Sequence, residues 1–216
     1  AITMADWLSD VEALLMVWYP GQMGGHAVAD LLFGAANPSG KLPMTFPTSL
    51  EQLPPFDNQS LKVTYDYFHG YRYVDRNDTT PQFPFGFGLS YTTFSVDNIR
   101  SSQSEARAGD VVRFTVDVTN TGSVAGAEVV QLYVTYPGSA VERSVLELKG
   151  FAKVTLEQGE TQTVEMSVPV NDLAYYDVTE DSWVLEGLEY DVHIGTSSRD
   201  LPLSTTLSVA AKQSIE

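Results

Sequence analysis

Between residues 96 and 210 the chain is written in short alternating runs of apolar and polar side chains, broken by turn residues. Val111–Val118 alternates, Asn120-Thr121-Gly122 turns the chain, and Glu128–Val134 resumes in strand-forming residues. Leu146–Val154, Gln162–Val168, Leu173–Tyr176, Trp183–Leu185 and Glu189–Ile194 supply further strands. About seven short strands in roughly 115 residues is the pattern of an immunoglobulin-like sandwich. With no cysteine in the chain there is no inter-sheet disulfide, so a fibronectin type III-like version is expected.

The first 46 residues follow a different rhythm. Ala5–Val11 reads as a short helix with Asp6 near its start, and the continuous apolar run Ala13–Trp18 as a parallel strand buried on both faces. A second helix is predicted over Gly25–Phe33, with Val28, Leu31 and Leu32 at three- and four-residue spacing and Gly34 at its C-cap. Leu42–Phe46 would be another short strand. Two strands and two helices cannot cover a sheet on both sides, so this α/β segment is expected to pack on something upstream. It would otherwise leave an apolar face and a sheet edge open to aggregation. Residues 47–95, rich in proline and aromatics with weak periodicity, read as an ordered strap over neighbouring domains, since tyrosine and phenylalanine at this density want burial. The expected organisation is thus 1–46, 47–95 and 96–216.

A formal charge of −16 argues against nucleic acid and anionic lipid as partners, because both associations draw on Lys/Arg neutralisation. The longest apolar stretch, Ala13–Tyr19, is far shorter than the roughly 20 residues of a membrane helix. Asn58-Gln59-Ser60 and Asn77-Asp78-Thr79 fit the glycosylation pattern, which carries meaning only in a secreted eukaryotic protein.

Several blocks carry a resemblance. Trp18-Tyr19-Pro20-Gly21-Gln22-Met23-Gly24-Gly25, Asn37-Pro38-Ser39-Gly40-Lys41-Leu42-Pro43 and Phe83-Pro84-Phe85-Gly86-Phe87-Gly88-Leu89-Ser90-Tyr91 resemble the C-terminal third of glycoside hydrolase family 3 enzymes, a family rich in β-glucosidases. Gly126–Tyr133, Leu148-Lys149-Gly150-Phe151 and Ile194-Gly195-Thr196-Ser197-Ser198 continue it in order. The resemblance implies the end of a three-layer α/β sandwich domain, a connecting strap and a fibronectin type III-like domain. It also implies that a (β/α)8 barrel precedes them, and the chain opens at Ala1-Ile2-Thr3-Met4 with an α/β pattern already under way, so we expect part of a longer enzyme. That enzyme would release terminal, non-reducing β-linked sugars, glucose first, with β-xylosidase or another exo-glycosidase specificity as the alternative. Retention requires two carboxyl groups about 5–5.5 Å apart. In the family the nucleophile lies on the barrel and the acid/base upstream of the part matching Ala1, so no catalytic residue maps onto this chain, and it is expected to be inactive alone. Its partners would be the upstream barrel and α/β portion and a β-glucoside substrate. Secretion or a periplasmic address is expected, with a cytoplasmic one open.

The remaining chemistry is weighed residue by residue. Close acidic pairs such as Glu180 and Asp181 read as solvated loop charges. The Tyr19–His26 loop could border a substrate cleft, but Gly21, Gly24 and Gly25 are better read as a tight turn into the helix. Tyr65, Tyr67, His69, Tyr71, Arg72 and Tyr73 could stack on a sugar or pair with a carboxylate, against the plainer expectation of packing between domains. His26, His69 and His193 lack metal-ligand spacing, no phosphate-loop pattern is present, and no cofactor is expected. Trp183 and Tyr190 are expected in the sandwich core. A non-catalytic carbohydrate-binding or structural module is the rival reading, against which no exposed planar row of aromatics is evident.

Overall fold

The computed structural model describes residues 2–215. Eleven strands account for most of its regular structure: β1 (Phe94–Ser101), β2 (Glu105–Ala106), β3 (Val111–Asn120), β4 (Gly126–Thr135), β5 (Glu147–Leu156), β6 (Thr161–Pro169), β7 (Tyr175–Asp177), β8 (Ser182–Leu185), β9 (Glu189–Gly195), β10 (Leu203–Val209) and β11 (Gln213–Ile215). A three-stranded sheet β1-β3-β6 faces a five-stranded sheet β2-β10-β9-β4-β5, and β11-β8-β7 form a small third sheet at one end. This is the expected sandwich. The alternation in β3 buries Val112, Phe114, Val116 and Val118 completely, against Val130, Leu132 and Val134 of β4 and Val192 and Ile194 of β9.

β4 breaks the one-face rule. Its inward residues alternate as they should, yet Gln131 and Tyr133, on the other face, are buried too. A strand covered on both faces needs a second layer outside the sandwich, and residues 37–92 supply it. There Phe46 bridges to Phe83, the Leu42 amide donates to the Phe87 carbonyl, and the Gly86 amide donates back to Leu42. The expected Leu42–Phe46 strand is reduced to this irregular pairing. A six-residue helix, α2 (Tyr71–Arg76), which the sequence did not announce, rests beside it.

Three expectations need correction. The helix expected over Ala5–Val11 shrinks to one 3-10 turn at Leu8–Asp10. Ala13–Trp18 forms no ladder and is open to solvent, with Leu15 and Val17 each 39% exposed. A parallel strand needs neighbours for its amides and layers on both faces, and the described residues offer neither. α1 (Gly24–Leu32) forms where expected, but Leu32 and the following Phe33 are likewise exposed. Third, Trp183 is not a core residue. β8 buries both Val184 and Leu185, which turns Trp183 outward at 50% exposure against Tyr176, whereas Tyr190 is fully buried as expected.

Candidate functional site: a polar seam between strap and sandwich

The outer face of β4, its N-terminal end and the start of β5 carry polar side chains that an ordinary sandwich would leave in water. Glu128, Gln131 and Glu147 are 7%, 3% and 5% exposed. Buried groups of this kind persist only when paired, and for each of the three at least one partner comes from residues 37–92.

At one end, Lys41 reaches Glu128 at 2.6 Å and donates to the Gly88 carbonyl at 3.0 Å. Asn37 closes the same corner, donating to the Ala125 carbonyl at 2.9 Å while its side-chain oxygen accepts from Ser90 Oγ and the Tyr91 amide. In the middle, Gln131 Nε2 donates to the carbonyls of Gly86 at 3.1 Å and Thr196 at 2.6 Å, and its Oε1 accepts from the Tyr133 hydroxyl at 2.6 Å. This explains the Phe83–Tyr91 block. Gly86 has φ +80°, and a Cβ there would overlap the Gln131 amide. Gly88 lies against the Gly40 carbonyl in the same way. The aromatics between them interlock: Phe83 stacks on Phe87 at 5.4 Å, and Phe85 on Tyr71 at 4.9 Å.

The other end centres on Glu147. Its carboxylate accepts from the Tyr67 hydroxyl and, at 2.7 Å, from the Tyr136 hydroxyl; Lys149 Nζ sits 2.8 Å away and Arg72 3.9 Å away. Burial pushes the Glu147 carboxyl up, but the Lys149 charge and the hydrogen bonds from Lys149, Tyr67 and Tyr136 outweigh it and bring it down to about 2. The Tyr71 hydroxyl accepts from the Leu148 amide at 3.1 Å. Beside α2, Arg199 pairs with Asp75 at 2.6 Å and donates to the Thr79 carbonyl at 3.2 Å. Burial raises the Asp75 carboxyl to about 6 against the pull of Arg199, and its second oxygen has no hydrogen-bond partner.

Of the aromatic cluster singled out in the sequence, Tyr67, Tyr71 and Arg72 therefore join the seam; Tyr65 and His69 remain exposed. The Tyr19–His26 loop stands apart from it, with Tyr19 fully exposed, Gly21 at φ +69° and Gly24 pressed on Pro20, as a tight turn requires. Glu147, Gln131, Glu128 and the Asp75–Arg199 pair were missed. The available signal was the almost unbroken run Glu128–Val134, too apolar for a strand with one wet face.

Chemically, the seam binds chain to chain. Asp75 has the raised pKa an acid catalyst wants, but its side chain is 3% exposed and tied to Arg199. Glu147 stays ionised and fully engaged. Among the described residues no three His, Asp or Glu side chains are placed to hold a metal ion.

Residues 1–91 match the glycosyl hydrolase family 3 C-terminal domain and residues 128–198 a fibronectin type III-like domain. The chain is similar to "Beta-glucosidase B" of Emericella nidulans, 40% identical over 95% of this chain and 26% of that protein. It is also similar to a "Beta-glucosidase" of Rhizobium radiobacter, 39% identical over 97% of this chain and 27% of that one. Among solved structures, the β-D-glucoside glucohydrolase of Trichoderma reesei superposes with a TM-score of 0.91 at 34% identity, over 97% of this chain and 32% of that chain. β-Glucosidase 3B of Thermotoga neapolitana, solved with glucose, gives 0.91 at 38% identity, over all of this chain and 30% of its own. The chain thus spans about a quarter of the length of the curated relatives it matches.

Proposed function

Because the chain belongs to glycosyl hydrolase family 3, carrying its C-terminal domain and its fibronectin type III-like domain, we propose that it is the bracing portion of an exo-acting, retaining β-glucosidase. The supporting observation is the seam: Glu128, Gln131 and Glu147, buried on the sandwich, are engaged in holding residues 37–92. In this reading the nucleophile and the acid/base belong to a barrel and α/β portion outside this chain, and the terminal non-reducing β-D-glucosyl unit of a glucoside is cleaved there by two carboxyl groups. The relatives' names support glucose as the sugar, with xylose the nearest alternative. The exposed apolar run Leu14–Trp18 and the outer side of α1 would lie against that upstream portion. An exported location belongs to the same proposal, supported by the acidic composition and the two sequons.

Hydrolysis of an aryl β-D-glucoside tests it. The longer protein containing this chain is expected to release β-glucose with retained configuration, and the 216-residue chain to release none. Turnover by the chain alone, or inversion by the longer protein, would overturn the proposal.

A further inference from the structure

At the far end of the seam the strap, the 141–149 loop and the small β11-β8-β7 sheet enclose an open cleft of about 1170 Å³. That volume is at or above the range of ordinary small-molecule pockets, about 300–1000 Å³, so it has room for more than one sugar-sized ring. Three large aromatics line it with their side chains in solvent, Trp183 at 50% and Tyr176 and Tyr67 each at 45% exposure; Trp183 and Tyr176, ring centroids 5.6 Å apart and planes at 73°, form a corner. Tyr176 is held in place by a hydrogen bond from its hydroxyl to Asp181. Exposed aromatics cost solvation, and rigid ones at a cleft wall are the usual anchors of a bound partner.

The polar lining narrows the class. Three cations face four carboxylates around the cleft, and most are neutralised locally: Lys149 by Glu147 at 2.8 Å, Arg72 by the same carboxylate at 3.9 Å, Arg143 by Glu186 at 3.9 Å. Arg143, 7% exposed and lying 3.7 Å from the Tyr136 ring centroid, keeps Nη1 without a hydrogen-bond acceptor, as Arg72 keeps Nε. Asp172 lies exposed at the cleft, its carbonyl accepting from Lys149 Nζ at 2.7 Å. The cleft thus offers donors and acceptors side by side with little net field, on a chain whose overall charge of −16 repels anions. A polyanion finds no cationic patch, and a flat apolar ligand leaves the exposed Asp172 carboxylate without a partner. A neutral polyhydroxylated ring satisfies both, its C–H face on the aromatics and its hydroxyls on the charged groups.

We propose that this cleft binds a neutral oligosaccharide, with Trp183 and Tyr176 as its stacking corner and Lys149 and Asp172 as its hydrogen-bonding wall. It does not rest on the hydrolase reading, since it needs neither a barrel nor turnover. The test is titration of the 15N-labelled 216-residue chain with cellotetraose, following the indole N–H signals of its three tryptophans, Trp7, Trp18 and Trp183. A saturable shift confined, among the indoles, to Trp183 is expected; Tyr176→Ala, and Trp183→Ala followed through the backbone amides of β7, should each weaken binding about tenfold or more. Because Trp183→Ala could disturb the small sheet, Asp172→Asn on the exposed turn serves as a second variant, expected to weaken binding while leaving the spectrum's dispersion intact. No saturable shift up to about 10 mM, where even a millimolar site would be mostly filled, overturns the proposal. So would a response at Trp7 or Trp18 alone, unchanged binding in all three variants, or tighter binding of tetragalacturonate than of cellotetraose.

Discussion

Replacing Glu147 by glutamine removes one charge and almost no volume from the centre of the seam. The carboxylate is 5% exposed, accepts from two tyrosine hydroxyls and faces Lys149 at 2.8 Å and Arg72 at 3.9 Å. Removing one partner of a buried ion pair costs about 3–5 kcal/mol. Glutamine keeps one accepting oxygen, Lys149 keeps the Asp172 carbonyl and Arg72 is 30% exposed, so the cost should fall to about 2–3 kcal/mol. Urea denaturation of parent and variant should therefore show a lower midpoint with an unchanged slope. Acid provides a second readout. The Glu147 carboxyl titrates at about 2 in the fold against 4.5 ordinarily, so between those values the unfolded chain binds the extra proton. The resulting stability is present above pH 4.5 and is lost as pH falls through about 2. In the glutamine variant that acid limb should shrink. A midpoint change worth less than about 0.5 kcal/mol, the scatter of ordinary surface substitutions, would refute the energetic importance assigned to the seam.

Gly86→Ala combines a left-handed backbone at φ +80° with a collision against the Gln131 amide, and should cost about 3 kcal/mol by thermal denaturation. Gly109→Ala, at φ +88° with open space around it, should cost only about 1 kcal/mol; equal losses would remove the collision from the explanation. Asp75 titrates at about 6 in the fold against 3.8, so the native state holds the extra proton between those values and Asp75 makes stability fall as pH rises from about 4 to 6. Asp75→Asn should abolish that slope in midpoint-against-pH measurements; a slope left intact would assign it elsewhere. The exposed run Leu14–Trp18 should make the isolated chain self-associate, and Leu15→Lys with Val17→Lys should lower its light-scattering mass towards 23.7 kDa; an unchanged mass would move the association to another surface.

The sandwich was legible because alternation is a local signal: each residue of Val111–Val118 states its own face, and its two neighbours confirm it. The seam was not, because its pairings are distant. Tyr67 and Glu147 are 80 residues apart, and nothing near Glu147 distinguishes it from a charge on a wet strand. α2 escaped for a different reason: in six residues the two arginines that favour a helix are offset by two tyrosines, a β-branched valine and an aspartate, there is no apolar periodicity to read, and tertiary contacts set the conformation. Ala13–Trp18 shows the converse. The run has the composition of a doubly covered strand, but composition cannot supply the neighbours that would pair with it. Trp183 was misplaced because four residues of β8 are too few for alternation to decide which side is inside.

A brace and a catalytic element differ in which quantity a mutation moves. The measurement that separates them is kcat/KM on an aryl β-D-glucoside for the longer family 3 protein carrying Glu147→Gln, at a temperature where parent and variant are both folded, together with their melting temperatures. A brace leaves transition-state binding untouched, so kcat/KM should stay within about twofold while the melting temperature falls. A loss of about a hundredfold in kcat/KM with no change in melting temperature would contradict the account and place Glu147 in the chemistry.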